Sequence, residues 1–151
     1  MLKVDKIDTE ISNILEDVIK TRRHIHQNPE LGYEEVNTAT LVAKKLRKMG
    51  LEVKEKVGGH GVVGLLRGAY PGKTLLLRAD MDALPIHEET GLPFASKVDG
   101  VMHACGHDMH TAILLGVAKI LTNLKDEIKG NIKFMFQPAE ECSPDGGAKY
   151  M

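Results

Sequence analysis

The sequence predicts an α/β layered fold, a central mostly parallel or mixed sheet flanked by helices. Three observations lead there. Stretches with apolar residues at helical spacing alternate along the chain with short β-rich runs, the order that builds a sheet covered by helices. The run TLLLRAD (74–80) is continuously apolar and then ends in charge, as a central strand does when its C-terminal end opens onto a site. Lastly, the three densest polar clusters follow apolar segments or loops instead of interrupting them.

The elements follow in order. From Asp8 to Gln27 the apolar residues Ile11, Ile14, Leu15, Val18, Ile19 and Ile25 keep a helical period, with Asp8 or Thr9 as N-cap and Pro29 as stop. A second helix is expected from about Glu34 to Met49, with Val36, Leu41 and Leu46 on one side and Gly50 in the place of a C′ glycine. LEVKEKV alternates like a half-exposed strand, and GVVGLLRG and TLLLRAD read as strands joined by a turn over 69–73. A third helix fits His107 to Leu124, burying Ile113, Leu114, Val117, Ile120 and Leu121. After Gly130, NIKFMFQ is a further strand, ending at Pro138-Ala139-Glu140-Glu141.

No repeat, low-complexity tract or linker divides the 151 residues, which suit one domain with its own core. Gly146-Gly147 and the residues after it read as the first turn of another helix, so the chain is expected to be the N-terminal part of a longer polypeptide. Twenty basic against 21 acidic residues leave a net charge of −1, without the basic excess that nucleic acids or anionic membranes attract, so neither is expected as a partner. Hydrophobic content of 42% and charged content of 27% suit a soluble globular protein. Two cysteines make no disulfide framework, and the opening MLKVDKIDTEIS has no apolar signal core. The expectation is a cytoplasmic protein with reduced thiols.

Chemistry concentrates in three clusters: residues 78–82 (RADMD), 102–110 (MHACGHDMH) and 137–141 (QPAEE). The middle one places His103, Cys105, His107, Asp108 and His110 within eight residues, and Gly106 allows a tight turn. Thiolate and imidazole suit zinc and other borderline first-row metals. The same residues also read as a helix start whose Asp and His merely cap. Cys105 could instead be a nucleophile, its pKa lowered at a helix N-terminus beside imidazoles, although cysteine hydrolases usually recruit their histidine from far along the chain. Adjacent carboxylates point in different directions, so Glu140 and Glu141 suit a division between metal binding and proton transfer; alone they also read as a solvated loop. Asp80 and Asp82 lie on one side of an extended segment, where either could orient a ligand imidazole or hold a turn. His24 and His26, with Arg22 and Arg23, read as surface or packing residues; His60 and His87 carry no motif weight, and Cys142 reads as an ordinary thiol near the site.

RRHIHQNPELGYEE, LLLRADMDALPIHEETGLPF, MHACGHDMHTAILLGVAKIL and FMFQPAEE, in this order and spacing, resemble the amidohydrolase branch of the aminoacylase metallopeptidase superfamily. Its members include hippurate hydrolases, N-acetyl-diaminopimelate deacetylases and plant indole-acetyl-amino-acid hydrolases. The resemblance runs from about Arg22 to Met151. It implies the N-terminal portion of a di-metal peptidase catalytic domain, with two divalent ions (manganese, zinc, nickel or cobalt) in a full-length site. It further implies Cys105 as bridging ligand, His107 and Glu141 as further ligands, Glu140 as general base, and Asp82 as the aspartate that holds a ligand imidazole. The implied substrate is a small N-acyl amino acid and the implied full-length protein a homo-oligomer; no substrate-binding residue is assigned. Two further histidine ligands and a small dimerisation domain belong to the family pattern and are not among these 151 residues. The chain by itself is therefore expected to be inactive, and the rival reading is a non-catalytic metal-binding remnant.

Overall fold

In the computed structural model, which describes residues 4–151 apart from Ser143 and Asp145, each expected helix and strand has a counterpart. The chain runs α1 (Val4–Gln27), α2 (Val36–Lys48), β1 (Glu52–Val57), β2 (Gly61–Arg67), β3 (Tyr70–Asp80), α3 (His107–Asn123) and β4 (Lys129–Gln137), with 3-10 turns at Lys125–Glu127 and Ala148–Tyr150. The four strands form one mixed sheet in the order β1-β2-β4-β3. β1 and β2 pair antiparallel, as do β2 and β4, whereas β3 and β4 run parallel. The parallel pair needs a crossover, and α3 supplies it.

The interior strands of the sheet are β2 and β4, not TLLLRAD. Phe134 and Phe136 of β4 are fully buried, while β3 has only β4 beside it among the described residues and leaves Leu75 58% and Leu76 49% exposed. An apolar run reports a strand's preference for burial, not its place in the sheet. The expected turn over 69–73 is also shorter, because β3 already begins at Tyr70 and crosses an irregularity in pairing before Thr74.

The helix faces are displaced from the expected ones. On α2 the buried stripe is Thr38, Ala39, Val42, Ala43 and Leu46, leaving Val36 exposed and Leu41 half-buried. Small residues win this face because α2 lies against β1, β2 and α3 at once. Its first-turn amides at Asn37 and Thr38 donate to the Glu30 carboxylate at 2.9 and 2.8 Å, an N-terminal cap from outside the helix. The chain leaves α2 through Gly50 at φ 87°, as expected of a C′ glycine.

On α3, Leu114 is buried, but Ile113 is exposed and Val117, Ile120 and Leu121 are only half-buried. α1 packs across α3, not against the sheet, so Ile25 is buried but Ile11, Leu15 and Ile19 stay exposed. Gly116 on α3 makes the crossing close, since a Cβ there would press on Val18 and Ile14 of α1. α1 starts at Val4, so Asp8 and Thr9 lie inside it and do not cap it. Val42, Leu46, Val62, Leu66, Leu114, Leu115, Phe134 and Phe136 join helices and sheet into one core.

Candidate metal centre

Parallel pairing brings the C-terminal ends of β3 and β4 to the same edge, with Asp80 opposite Gln137, and α3 begins there too. Thr111 Oγ1 donates to the Asp80 carbonyl at 2.8 Å, and Met81 N to the Gln137 carbonyl at 3.0 Å. The three polar clusters of the sequence therefore converge on one end of the sheet, where ligand sites form in open α/β folds. Gly106 turns the chain into α3 with φ 93°, a conformation costly for any residue with a Cβ.

His107 is the geometric centre. It is buried, and its Nδ1 donates to the Asp82 carbonyl at 2.9 Å and to Asp82 Oδ1 at 3.1 Å. With the proton fixed on Nδ1, the Nε2 lone pair is presented to the site. Nε2 lies 3.6 Å from Asp80 Oδ1, 3.7 Å from Glu140 Oε2 and 3.8 Å from Glu141 Oε1. Burial opposes a charge on His107, but the Asp82 hydrogen bond and the Asp80 and Asp82 charges outweigh it and raise its pKa. Burial likewise works against the Asp82 carboxylate, yet the bond from His107 and the backbone amides of Glu141 and Glu140 hold its pKa below the ordinary value.

Cys105, His107 and Glu141 each offer a ligand atom within 4.8 Å of the others, so these three sequence-selected residues are brought together. The nucleophile reading of Cys105 expected a lowered pKa. Instead the thiol is pushed up to about 11, first by its hydrogen bond to Glu141, then by burial and the charges of Glu141, Glu140 and Asp80. Carboxylates surround it where the sequence suggested only imidazoles and a helix end. A sulfur, an imidazole nitrogen and several carboxylates facing one another fit a divalent cation, which would deprotonate the thiol and neutralise the acids. The Glu140-Glu141 pair stays at the rim, with side chains 39% and 29% exposed.

Several partners were not legible beforehand. Ala139 takes a left-handed φ of 51°, and its N–H donates to Glu35 Oε1 at 2.7 Å. Glu35, fully buried and with its pKa raised chiefly by burial, thus sets the turn that presents Glu140 and Glu141. His26 is not a surface or simple packing residue. It is 2% exposed, its Nδ1 2.8 Å from Asp108 Oδ2 and its Nε2 3.1 Å from Glu88 Oε1. Arg22 Nε reaches the same Asp108 oxygen at 2.6 Å. The only advance sign was the pairing of Arg22 with His26 one helical turn apart. His103 is also buried, in neither donor group, and burial lowers its pKa to about 4. Of the three histidines in the middle cluster, His107 and His110 alone face the acidic cage.

These features define an α/β chain with a candidate metal centre at the C-terminal edge of its sheet. Residues 76–151 match peptidase family M20/M25/M40, and the chain belongs to that family. It is 56% identical over 149 residues to thermostable carboxypeptidase 1 of Saccharolobus solfataricus, covering 98% of this chain and 38% of that protein. It is 51% identical over 142 residues to hippurate hydrolase of Campylobacter jejuni, covering 94% of this chain and 36% of that enzyme. The Bacillus subtilis YXEP protein, a dinuclear metal-binding peptidase of the M20 family, superposes with a TM-score of 0.82 at 44% identity, covering 86% of this chain and 36% of that one. The chain thus spans well under half the length of these relatives.

Proposed function

We propose that the chain is the N-terminal portion of a catalytic domain that hydrolyses the amide bond of N-acyl amino acids to a carboxylic acid and a free amino acid. The observation that carries this reading is His107, held at Nδ1 by Asp82 with Nε2 turned towards Asp80, Glu140 and Glu141. Cys105, His107 and Glu141 would hold a divalent ion of the manganese, zinc, nickel or cobalt group. Such an ion supplies Lewis-acid polarisation of the amide carbonyl and eases deprotonation of water. Glu140, at the rim beside Glu141, takes the water's proton and returns it to the leaving amine. Asp82 fixes the imidazole tautomer and, by accepting the Glu141 N–H at 2.9 Å, also fixes the backbone that carries both glutamates. The names of the hippurate hydrolase and dinuclear peptidase relatives support the substrate class and the metal requirement. Free thiols at Cys105 and Cys142 suit a reducing, cytoplasmic setting.

Three ligands do not complete a two-metal site, since even one catalytic metal needs about three protein donors plus an open position. The 151-residue chain alone is therefore inactive under this reading. The test replaces the matching segment of the Saccharolobus relative with this chain and assays hippurate and N-acetyl amino acids with manganese or zinc. The chimera turns over substrate in a chelator-sensitive manner, and Glu140→Gln retains its metal while losing at least ~100-fold in kcat. A metal-loaded chimera without turnover would favour the non-catalytic remnant, and a Glu140→Gln chimera with most of its kcat would refute the base.

A further inference from the structure

Glu35 and Ala139 each carry a cost, and the two costs meet in one hydrogen bond. Glu35 is a carboxyl group buried completely, which is unfavourable unless the group is used. Ala139 holds a left-handed φ of 51°, which any residue with a Cβ resists. Glu35 Oε1 accepts the Ala139 N–H at 2.7 Å, and strained backbone of this kind persists only where its surroundings hold it. Those surroundings come from far away in sequence. The turn over 31–34, closed by the Glu34 N–H on the Leu31 carbonyl at 2.9 Å, passes through Tyr33 at φ 66°. It lies so close to the glutamate turn that a Cβ on Gly32 would collide with Cys142 Sγ and Ala139 Cα. It is also tied to the segment just after β3, because Leu31 bridges to Ala83, whose N–H donates to the Glu30 carbonyl at 2.8 Å. Beside Ala83, Asp82 Oδ2 accepts the Glu141 N–H at 2.9 Å. Glu140 therefore lies between two anchored amides, that of Ala139 on Glu35 and that of Glu141 on Asp82.

We infer that Glu35 is a positioning residue for the metal centre. By holding the Ala139 N–H it keeps Ala139 left-handed, and that backbone conformation aims the Glu141 carboxylate at Cys105 and His107 while Glu140 stays at the rim. The inference rests on the reading of Glu141 as metal ligand and Glu140 as base. It goes further by placing the division between the two glutamates in one backbone torsion, set from 104 positions away. The Asp82 anchor alone does not fix that torsion, because it holds only the amide that follows Glu140. Without Glu35, Ala139 returns to the right-handed or extended conformations that its side chain prefers, and both glutamates swing about the Asp82 bond. Glycine has no such preference and enters the left-handed region about as readily as the right-handed one. In an Ala139→Gly chain the glutamate turn therefore keeps its form without help, and the need for Glu35 falls away.

The experiment reads amide hydrogen exchange by NMR in the purified 151-residue chain without metal. The amides of Ala139 and Glu141 report the turn, and those of Phe134 and Phe136 in β4 report opening of the whole fold. Glu35→Leu fills the space without an acceptor, Glu35→Asp draws the acceptor back by one carbon, and Glu35→Gln keeps it. Relative to the two reference amides, Glu35→Leu lowers protection at Ala139 and Glu141 at least ~10-fold. Glu35→Asp lowers it at least ~3-fold and decides the matter should Glu35→Leu not fold, whereas Glu35→Gln stays within about twofold of wild type. Adding Ala139→Gly to Glu35→Leu or Glu35→Asp restores protection at Glu141 but not at Ala139, whose acceptor is still missing. A merely structural Glu35 lowers all four amides together and gains nothing from Ala139→Gly, and either result overturns the inference. So does protection at Glu141 within about twofold of wild type in both the Leu and the Asp variant. Cobalt(II) affinity, measured by chelator competition, follows the Glu141 amide: it falls at least ~10-fold in Glu35→Leu and recovers with Ala139→Gly. An affinity indifferent to Glu35→Leu overturns the inference as well. Exchange as expected in a wild-type chain that takes up no cobalt removes the ligand role given to Glu141 and leaves the hold of Glu35 on the turn supported.

Discussion

Asp82 Oδ1 lies 3.1 Å from His107 Nδ1, and its other oxygen accepts the Glu141 N–H at 2.9 Å. One carboxylate, 1% exposed, thus fixes the imidazole from α3 and the glutamate turn after β4 relative to each other. Removing it should loosen both groups, leaving the Glu141 amide without its acceptor and His107 Nδ1 held by the Asp82 backbone carbonyl alone. Asp82→Ala is expected to lower zinc affinity about 10–100-fold and to lower the melting temperature as well. Competition with a chromophoric chelator measures the first and thermal denaturation the second. Zinc affinity within twofold of wild type would show that Asp82 does not set the ligand geometry.

Gly106 and Gly130 both have positive φ, 93° and 83°, yet their surroundings differ. A Cβ on Gly106 would meet only Met109 Cε at 3.7 Å, an ordinary contact, whereas one on Gly130 would collide with the Lys73 carbonyl and the Gly72 backbone. Gly106→Ala therefore bears the left-handed backbone cost alone, about 1–2 kcal/mol. Gly130→Ala adds a clash that forces β3 and β4 apart, and is expected to exceed about 3 kcal/mol. Urea denaturation of both variants gives the ranking. The reverse order would mean that the β3–β4 junction yields more readily than the turn into α3.

What the sequence revealed was periodicity and local chemistry. Helical spacing located all three helices, and the clusters at 78–82, 102–110 and 137–141 meet at one sheet edge. Periodicity could not say which helix face would be covered. α1 crosses α3 away from the sheet, so Ile11 and Leu15 stay exposed although their spacing resembles a core stripe. Nor could it rank strands, since a run as apolar as TLLLRAD ends up with one partner while β2 and β4 each have two. The site's supports were hidden for a different reason. Glu35 meets Ala139 across 104 positions and His26 meets Asp108 across 82, and pairings at such separations leave no local signature. The raised pKa of Cys105 had the same origin, because carboxylates from other segments reverse what its neighbours in sequence suggest.

Glu88 gives the fold a sensitivity to acid. Burial works against its charge, but hydrogen bonds from Thr90 Oγ1, the Ser96 amide and His26, with the His26 charge, hold the carboxyl at about 2 against an ordinary 4.5. A folded pKa below the unfolded one means that the unfolded chain binds the proton more readily. The contribution is therefore complete above about pH 4.5 and is lost as pH falls towards 2. Glu88→Gln should be less stable than wild type at pH 6, with the gap closing as pH drops to ~3. Chemical denaturation at several pH values measures this, and a gap that stays constant would place the acid sensitivity elsewhere.

Leu75 and Leu76 are neighbours in β3, so their side chains point to opposite faces of the sheet, and both are largely exposed, at 58% and 49%. β3 pairs with β4 on one side, and among the described residues nothing pairs with its other edge. Beside it Ile113 of α3 is 55% exposed, and Ile11 and Leu15 of α1 are 43% and 51% exposed. A strand with free backbone donors and acceptors and apolar side chains on both faces is a template for pairing with another chain. The purified chain is expected to self-associate with rising concentration in sedimentation velocity. Replacing Leu75 and Leu76 together by lysine should suppress this, because a lysine on an open edge must be desolvated for a second strand to dock. The change should leave the fold intact, since neither leucine belongs to the buried core. A double variant that associates as wild type does would move the contact to the α1–α3 face. A wild-type chain that stays monomeric at every concentration would show that the open edge of β3 does not pair at all.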